Sequence, residues 1–174
     1  MTEGLVLVLG GARSGKSAYA ERLVSESGLP AVYVATAQAG DPEMAERIAA
    51  HRRRRPPAWR TVEAPHELER VLETEAGEGR AVLVDCLTLW LSNLMFSDAD
   101  VESRGATLAV MAKQVAGLRV LVSNEVGLGL VPDTPLGRRF RDAQGRLNQK
   151  IAAIADRVVF MAAGLPLVLK GSDA

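Results

Sequence analysis

The sequence predicts an α/β fold, a mostly parallel sheet flanked by helices with one antiparallel strand at an edge. Three observations carry this. Short apolar runs alternate with segments of helical spacing, the order that builds a parallel sheet. The runs GLVLVL, AVYVA and AVLVD are apolar almost throughout, as strands covered on both faces are. The last two runs, Val158 to Ala162 and Leu165 to Leu169, are joined through Gly164, close enough for a hairpin.

The elements follow in order. Gly4 to Leu9 is the first strand, and after a glycine-rich turn Ser17 to Glu26 has the spacing of a helix through Ala18, Leu23 and Val24. Gly28-Leu29-Pro30 stops it, and Ala31 to Ala35 is the second strand. Asp41-Pro42 pairs a cap residue with proline at the first helical position. The helix it opens runs through Met44 and Ile48 to about His51, and Pro56-Pro57 ends it. Trp59 to Val62 is a short strand, and Pro65 opens a helix to about Glu75. Ala81 to Asp85 and Leu118 to Ser123 are further strands, and a long polar helix covers Thr134 to Ala155. Residues 97–105 and 126–137 read as loops, long enough to be functional.

Composition narrows the class. The chain of 174 residues fits a single domain over residues 1–174, with 48% apolar residues to fill it. Aromatics are only 4%, so Val, Leu, Ile and Ala must do most of the packing. Basic and acidic residues balance at 21 each, so no global field draws the chain to nucleic acid or to a membrane. Cys86 is the only cysteine, which excludes an internal disulfide and fits a reducing compartment. There is no apolar run of about 20 residues to span a membrane and no leader pattern at the start. A soluble cytoplasmic protein is expected.

The turn after the first strand carries the chemistry. Gly10-Gly11-Ala12-Arg13-Ser14-Gly15-Lys16-Ser17 fits GxxxxGK[ST], placed between a strand and a helix. Glycines let such a loop curl until its N–H groups converge on phosphate oxygens. Lys16 adds a point charge for the β and γ phosphates, Ser17 a hydroxyl for Mg²⁺, and the following helix its positive end. The expected fold is therefore a P-loop NTPase of the RecA-like type. Asp85, ending a strand, stands where a Walker B acid reaches the metal beside Ser17. Cys86 next to it reads as a small core residue.

Of the two histidines, His51 precedes Arg52-Arg53-Arg54-Arg55, whereas His66 follows Pro65 with nothing gathered around it and is assigned no role. A histidine followed by arginines fits a solvated helix face. It also fits a nucleophile kept neutral by cationic neighbours, with arginines to hold a triphosphate and neutralise departing pyrophosphate.

Five segments decide between these. GGARSGKS, YVATAQAGDPEMAERIAAHRRRRPPAWRTVEAP, LVDCLTLWLSNL, SNEVGLGLVP and RRFRDAQGRLNQKIAAIADRV together resemble the bifunctional adenosylcobinamide kinase / adenosylcobinamide-phosphate guanylyltransferase family of cobalamin biosynthesis. The resemblance covers nearly the whole chain, and the stretch from His51 through Glu63 is its most specific part. It implies two reactions. A nucleoside triphosphate, ATP or GTP, phosphorylates the hydroxyl of the aminopropanol arm of adenosylcobinamide. A histidine then attacks the α-phosphorus of GTP, and adenosylcobinamide phosphate takes the GMP to give adenosylcobinamide-GDP.

Carried over, the resemblance makes His51 the nucleophile and Gly10 to Ser17 the triphosphate cradle. Ala35, Thr36, Ala37 and Arg52, Arg53, Arg54 and Arg55 line the nucleotide site, and Glu63 and Asp85 contact guanosine or metal. A carboxylate such as Glu63 suits guanine, accepting from N1–H and the 2-amino group together. Asn124 and Glu125 follow a strand and are expected to position substrate or phosphate. Arg138, Arg139, Arg141 and Arg146 either line the same cavity or form a solvated helix face. The resemblance also implies a homotrimer. Two other readings are a P-loop kinase of another small molecule and a GTP-binding switch, the latter without the N-K-x-D motif that would recognise guanine.

Overall fold

The computed structural model describes residues 1–40 and 42–172, apart from the side chains of Arg47 and Arg54. The expected helix cap at Asp41 and the expected phosphate contact of Arg54 therefore lie outside what is described. The chain forms β1 (Gly4–Gly10), α1 (Lys16–Glu26), β2 (Ala31–Ala35), α2 (Pro42–Arg54), β3 (Arg60–Glu63), α3 (Leu68–Glu75) and β4 (Ala81–Asp85). These are followed by α4 (Leu87–Phe96), α5 (Val101–Gln114), β5 (Leu118–Asn124), α6 (Pro135–Ile154), β6 (Arg157–Ala162) and β7 (Leu165–Lys170).

One seven-stranded sheet runs in the order β3-β2-β4-β5-β1-β6-β7. Every neighbouring pair is parallel except β6 with β7, the expected antiparallel edge. The strand alternation divides the core between the two faces. Leu5, Leu7 and Leu9 pack with Leu68, Trp90, Leu108 and Leu147 from the helices α3 to α6. Val6 and Val8 turn the other way, onto Tyr19, Ala20 and Val24 of α1. The continuous apolar runs follow directly: each strand needs apolar side chains on both faces.

Three expectations are corrected. Residues 97–105 are not a loop throughout, because α5 begins at Val101. Asp100 caps it, its carboxylate accepting from the N–H groups of Glu102 and Ser103 at 3.1 Å each. The polar stretch that reads as a loop is thus a helix start. Gly105 inside α5 serves close approach, since a Cβ there would lie 3.3 Å from Leu147 Cδ1 of α6. The helix expected from Pro65 begins later, at Leu68. Finally α2 continues past His51 to Arg54, so the histidine sits within the helix.

The sequence reading assigned nothing to Leu87–Phe96, which forms α4. Its LTLWLSNLMF run is apolar on most sides and so shows no clear amphipathic period, yet Leu87, Trp90, Leu91 and Leu94 are all buried.

Candidate active site

The cradle begins where β1 ends. Gly10 cannot be replaced without displacement, because a Cβ there would lie 2.5 Å from Ser14 Oγ and 2.7 Å from the Met161 carbonyl. Gly15 precedes α1 with φ of 93°, a left-handed conformation that places the helix N-terminus under the loop. The turn between β6 and β7 braces the outside, with Gly164 N–H donating to the Ser14 carbonyl at 3.0 Å. Lys16 is buried, and its ammonium donates to the Gly11 carbonyl at 2.9 Å. The lysine is thus held over the loop whose N–H groups it assists.

A cleft of about 780 Å³ opens beside this loop. Ala12, Arg13, Lys16 and Ser17 line one side. Ala35, Ala37 and Asp85 line the floor, at the carboxyl ends of β2 and β4, where ligands bind in open parallel sheets. His51, Arg52 and Arg55 of the α2 segment and Glu63 of β3 form the far wall. Segments up to 112 positions apart, Ala12 to Asn124, thus converge on one opening.

His51 Nδ1 lies 3.6 Å from Asp85 Oδ2, and the carboxylate is almost wholly shielded from solvent. The same oxygen accepts the Tyr33 hydroxyl at 2.9 Å. Burial and the Asp85 charge hold the Tyr33 phenol well above its ordinary range, so it stays a donor. Single atoms of Glu21, His51 and Asp85 lie within 4.8 Å of one another. The expected basic environment of His51 gains an acidic side here: Asp85 and Glu21 face it in this cluster, while Arg52 and Arg55, which line the same cleft, make contacts of their own. Arg55 stacks on Tyr33, its guanidinium carbon 3.4 Å from the ring centroid, and donates to Thr61 Oγ1 at 3.2 Å. Arg52 donates to Glu63 at 2.6 Å. Both members of that pair are more than half exposed, so the bridge contributes little and a ligand can replace it.

Of the expected site residues, Gly10, Gly11, Ser14 and Gly15 belong to the loop without lining the cleft, and Thr36 and Arg53 do not line it either. Thr36 is fully buried, and its hydroxyl both donates to the Cys86 carbonyl at 2.7 Å and accepts the Cys86 N–H at 2.9 Å. It locks the ends of β2 and β4 together rather than meeting a nucleotide. Arg53 is exposed on the outer side of α2. On α6, Arg146 pairs with Glu102 at 2.5 Å, Arg141 with Asp142 at 3.0 Å, and Arg138 donates to the carbonyls of Pro132 and Asp133. Arg139 is exposed, and none of the four lines the cleft. Asn124 does line it, whereas Glu125 turns away to accept the Gly127 N–H at 2.6 Å. Tyr33 was missed by sequence reasoning. Its signal was present, since a tyrosine inside a buried strand needs a partner for its hydroxyl.

Residues 6–169 match the family model described as cobinamide kinase / cobinamide phosphate guanyltransferase. The chain belongs to this family. It is 54% identical over 167 residues to the bifunctional adenosylcobalamin biosynthesis protein CobP of Pseudomonas aeruginosa, covering 95% of this chain and 96% of that protein. It is 38% identical to the protein CobU of the same description from Escherichia coli, over 95% of this chain and 99% of that one. Membership makes the chain an enzyme of adenosylcobalamin biosynthesis, with kinase and guanyltransferase chemistry. The fold likeness reaches further than the family. FlaH, a flagellar accessory protein of Methanocaldococcus jannaschii, superposes with a TM-score of 0.54 at 14% identity, over 97% of this chain and 79% of that one. The ATPase domain of G40P gives 0.53 at 14% identity, over 98% and 78%. Both likenesses concern the P-loop NTPase fold alone.

The side chains present suit the groups this family handles. Ser14 Oγ and Asn124 Oδ1 are buried beside the cradle with no hydrogen-bond partner among the described residues, which is uncommon for buried polar atoms and fits a ligand rich in oxygens. The Ser17 hydroxyl and the Asp85 carboxylate are hard oxygen donors of the kind Mg²⁺ takes. Among the described residues, no helix is long and apolar enough to cross a membrane.

Proposed function

We propose that the whole chain, residues 1–174, acts as one nucleotide-binding domain that first phosphorylates adenosylcobinamide and then guanylylates the product through His51. The observation that carries this reading is the position of His51, on the wall of the cleft that Lys16 also lines and facing Asp85. A surface histidine of a solvated helix has no reason to stand there.

In the kinase step the hydroxyl of the aminopropanol arm attacks the γ-phosphorus of ATP or GTP, and the nucleoside diphosphate leaves. Gly10 to Ser17 cradle the phosphates, and the Lys16 ammonium stabilises the charge that builds on the transferred group. Ser17 and Asp85 would hold Mg²⁺, which neutralises phosphate charge when bound.

In the second step an imidazole nitrogen of His51 forms a bond to the α-phosphorus of GTP, and pyrophosphate departs. Asp85 faces Nδ1, which orients the ring and assigns the attack to Nε2 in this reading. A carboxylate partner orients the ring and stabilises the positive charge it takes on, a better arrangement for nucleophilic attack than a cationic surround. Arg52 exchanges Glu63 for phosphate, which frees the Glu63 carboxylate for the N1–H and 2-amino group of guanine. An oxygen of adenosylcobinamide phosphate then attacks the phosphorus, the phosphorus–nitrogen bond breaks, and His51 is regenerated.

The active assembly in this reading is a homotrimer. Its support is the resemblance, joined by an apolar row on the edge strand β7, where Leu165, Leu167 and Leu169 are all exposed. Long apolar edges of this kind are normally covered. The experiment that tests the central claim is incubation of the enzyme with GTP labelled at the α-phosphate. One acid-labile GMP per site supports it, and turnover without retained label removes the covalent step.

A further inference from the structure

The buried end of Asn124 has no use in the folded chain. Its carboxamide lines the cleft, and its Oδ1 is buried with no partner among the described residues. Its backbone, by contrast, is held at several points. Asn124 stands opposite Gly10 in the β5–β1 register. Its N–H donates to Thr88 Oγ1 at 2.8 Å, and its carbonyl accepts from Asn148 Nδ2 at 3.0 Å. The next N–H, of Glu125, donates to the Gly10 carbonyl at 3.1 Å. One residue earlier, on the opposite face of the strand, Ser123 Oγ donates to Asn148 Oδ1 at 2.7 Å and accepts from Gln144 Nε2 at 2.9 Å. Ser123 and Gln144 are fully buried. Four polar side chains, of Thr88, Ser123, Gln144 and Asn148, are thus buried to lock the backbone of a residue whose own side chain they leave alone.

Burying such a network is costly, and it is tolerated when it fixes a geometry. The geometry fixed here is the placement of one carboxamide at the lip of the phosphate cradle. The side chain of Asn124 is on the same face of β5 as Val120 and Val122, the face on which α1 and Lys16 lie. A carboxamide offers an acceptor and two donors from one plane, and its terminal torsion is soft, so a small turn brings either end to a ligand.

We propose that Asn124 is a catalytic residue of the kinase step that holds the acceptor hydroxyl against the γ-phosphate. Its Oδ1 accepts the hydroxyl hydrogen, and its Nδ2 donates to a γ-phosphate oxygen. The alcohol oxygen bonds to the γ-phosphorus as the bond to the β–γ bridging oxygen breaks. The hydroxyl proton passes to an oxygen of the transferred phosphoryl group, and the nucleoside diphosphate leaves. The amide takes no proton; it sets the line of attack. This role rests on the kinase activity of the family and not on the His51 intermediate.

The test measures cobinamide phosphorylation and nucleotide hydrolysis together, in the wild type and in Asn124→Ala and Asn124→Asp. Loss of an aligned contact of this kind is expected to lower kcat for transfer about 10²-fold. The KM for nucleotide should stay within about threefold, since the contact is made to the acceptor and to the transferred group. Hydrolysis should fall less than transfer, so the ratio of hydrolysis to transfer rises. Asn124→Asp keeps the acceptor oxygen but sets a negative charge against the phosphate, and it should not recover transfer. Transfer within about twofold of wild type in Asn124→Ala, or a parallel loss of nucleotide affinity and thermal stability, overturns the proposal. A wild type that transfers no phosphate to cobinamide overturns it together with the kinase reading, and the wild-type arm alone reveals that case.

Discussion

His51 Nδ1 and Asp85 Oδ2 lie 3.6 Å apart, although 34 positions separate them in the chain and they belong to different elements. The distance is longer than a hydrogen bond, and the contact becomes a charge pair only when the imidazole carries a proton. Tyr33 donates to the same oxygen from β2, the neighbour of β4 in the sheet. The carboxylate that a P-loop fold reserves for the metal side of the nucleotide is therefore also the group that faces the proposed nucleophile. In the proposed mechanism phosphoryl and guanylyl transfer would share this one acid.

The covalent chemistry assigned to His51 gives the sharpest expectation. Wild-type enzyme treated with α-labelled GTP should carry one label that breaks in acid or hydroxylamine and survives alkali, as a phosphorus–nitrogen bond does. His51→Ala should carry none and should lose guanylyl transfer, because His66 stands elsewhere, its carbonyl held by Trp90 and Arg104. The same variant should retain measurable kinase activity, since phosphoryl transfer proceeds directly from bound nucleotide. A denaturing gel of both proteins decides it, and acid-labile label on the variant would make another residue the nucleophile.

Lys16 is expected to act on the transition state more than on binding. Its buried ammonium is already held at the Gly11 carbonyl, so little reorganisation is needed when charge develops. Removing such a contact costs about 2.7–4 kcal/mol, so Lys16→Ala should lower kinase turnover roughly 10²–10³-fold. Steady-state rates at saturating nucleotide provide the check. Wild-type turnover in this variant would take the cradle out of the mechanism.

Cys86 should be inert in the folded enzyme. Burial, reinforced by the Asp85 charge, pushes its thiol up to about 11 from an ordinary 9.0. At pH 8 the thiolate fraction is then on the order of 10⁻³, and the thiolate is the reactive form. Iodoacetamide should modify native protein far more slowly than urea-unfolded protein, as mass spectrometry over time would read. The sign also sets a pH trend. The folded state favours the neutral thiol, so its contribution is fully present below 9.0 and is lost as pH rises toward about 11. Equal alkylation rates in native and unfolded protein contradict this picture.

Assembly is tested at the edge strand. Sedimentation at micromolar concentration should give a trimer, and Leu167→Lys, which charges the middle of the exposed β7 row, should weaken it. A wild-type monomer with full activity would defeat the trimer.

The sequence by itself determined what depends on short-range order. Continuous apolar runs announce buried strands because a doubly covered sheet needs apolar side chains on both faces. The GxxxxGK[ST] spacing announces the cradle because its function is built from consecutive backbone groups, and Gly10, Lys16 and Ser17 stand together along the chain. Asp85 was legible as the last residue of a strand for the same reason. Tertiary structure decided everything that depends on which distant residues meet. It gave Thr36 to the Cys86 backbone instead of the cleft, paired Arg52 with Glu63, and stacked Arg55 on Tyr33. It also brought Asp85 up to His51. A run of four arginines looks uniform in sequence, but a helix turns about 100° per residue, so successive side chains meet different partners. The helices α4 and α5 escaped for a related reason. One is apolar on most sides and the other starts in a polar stretch, so neither shows its period until its neighbours in space are known.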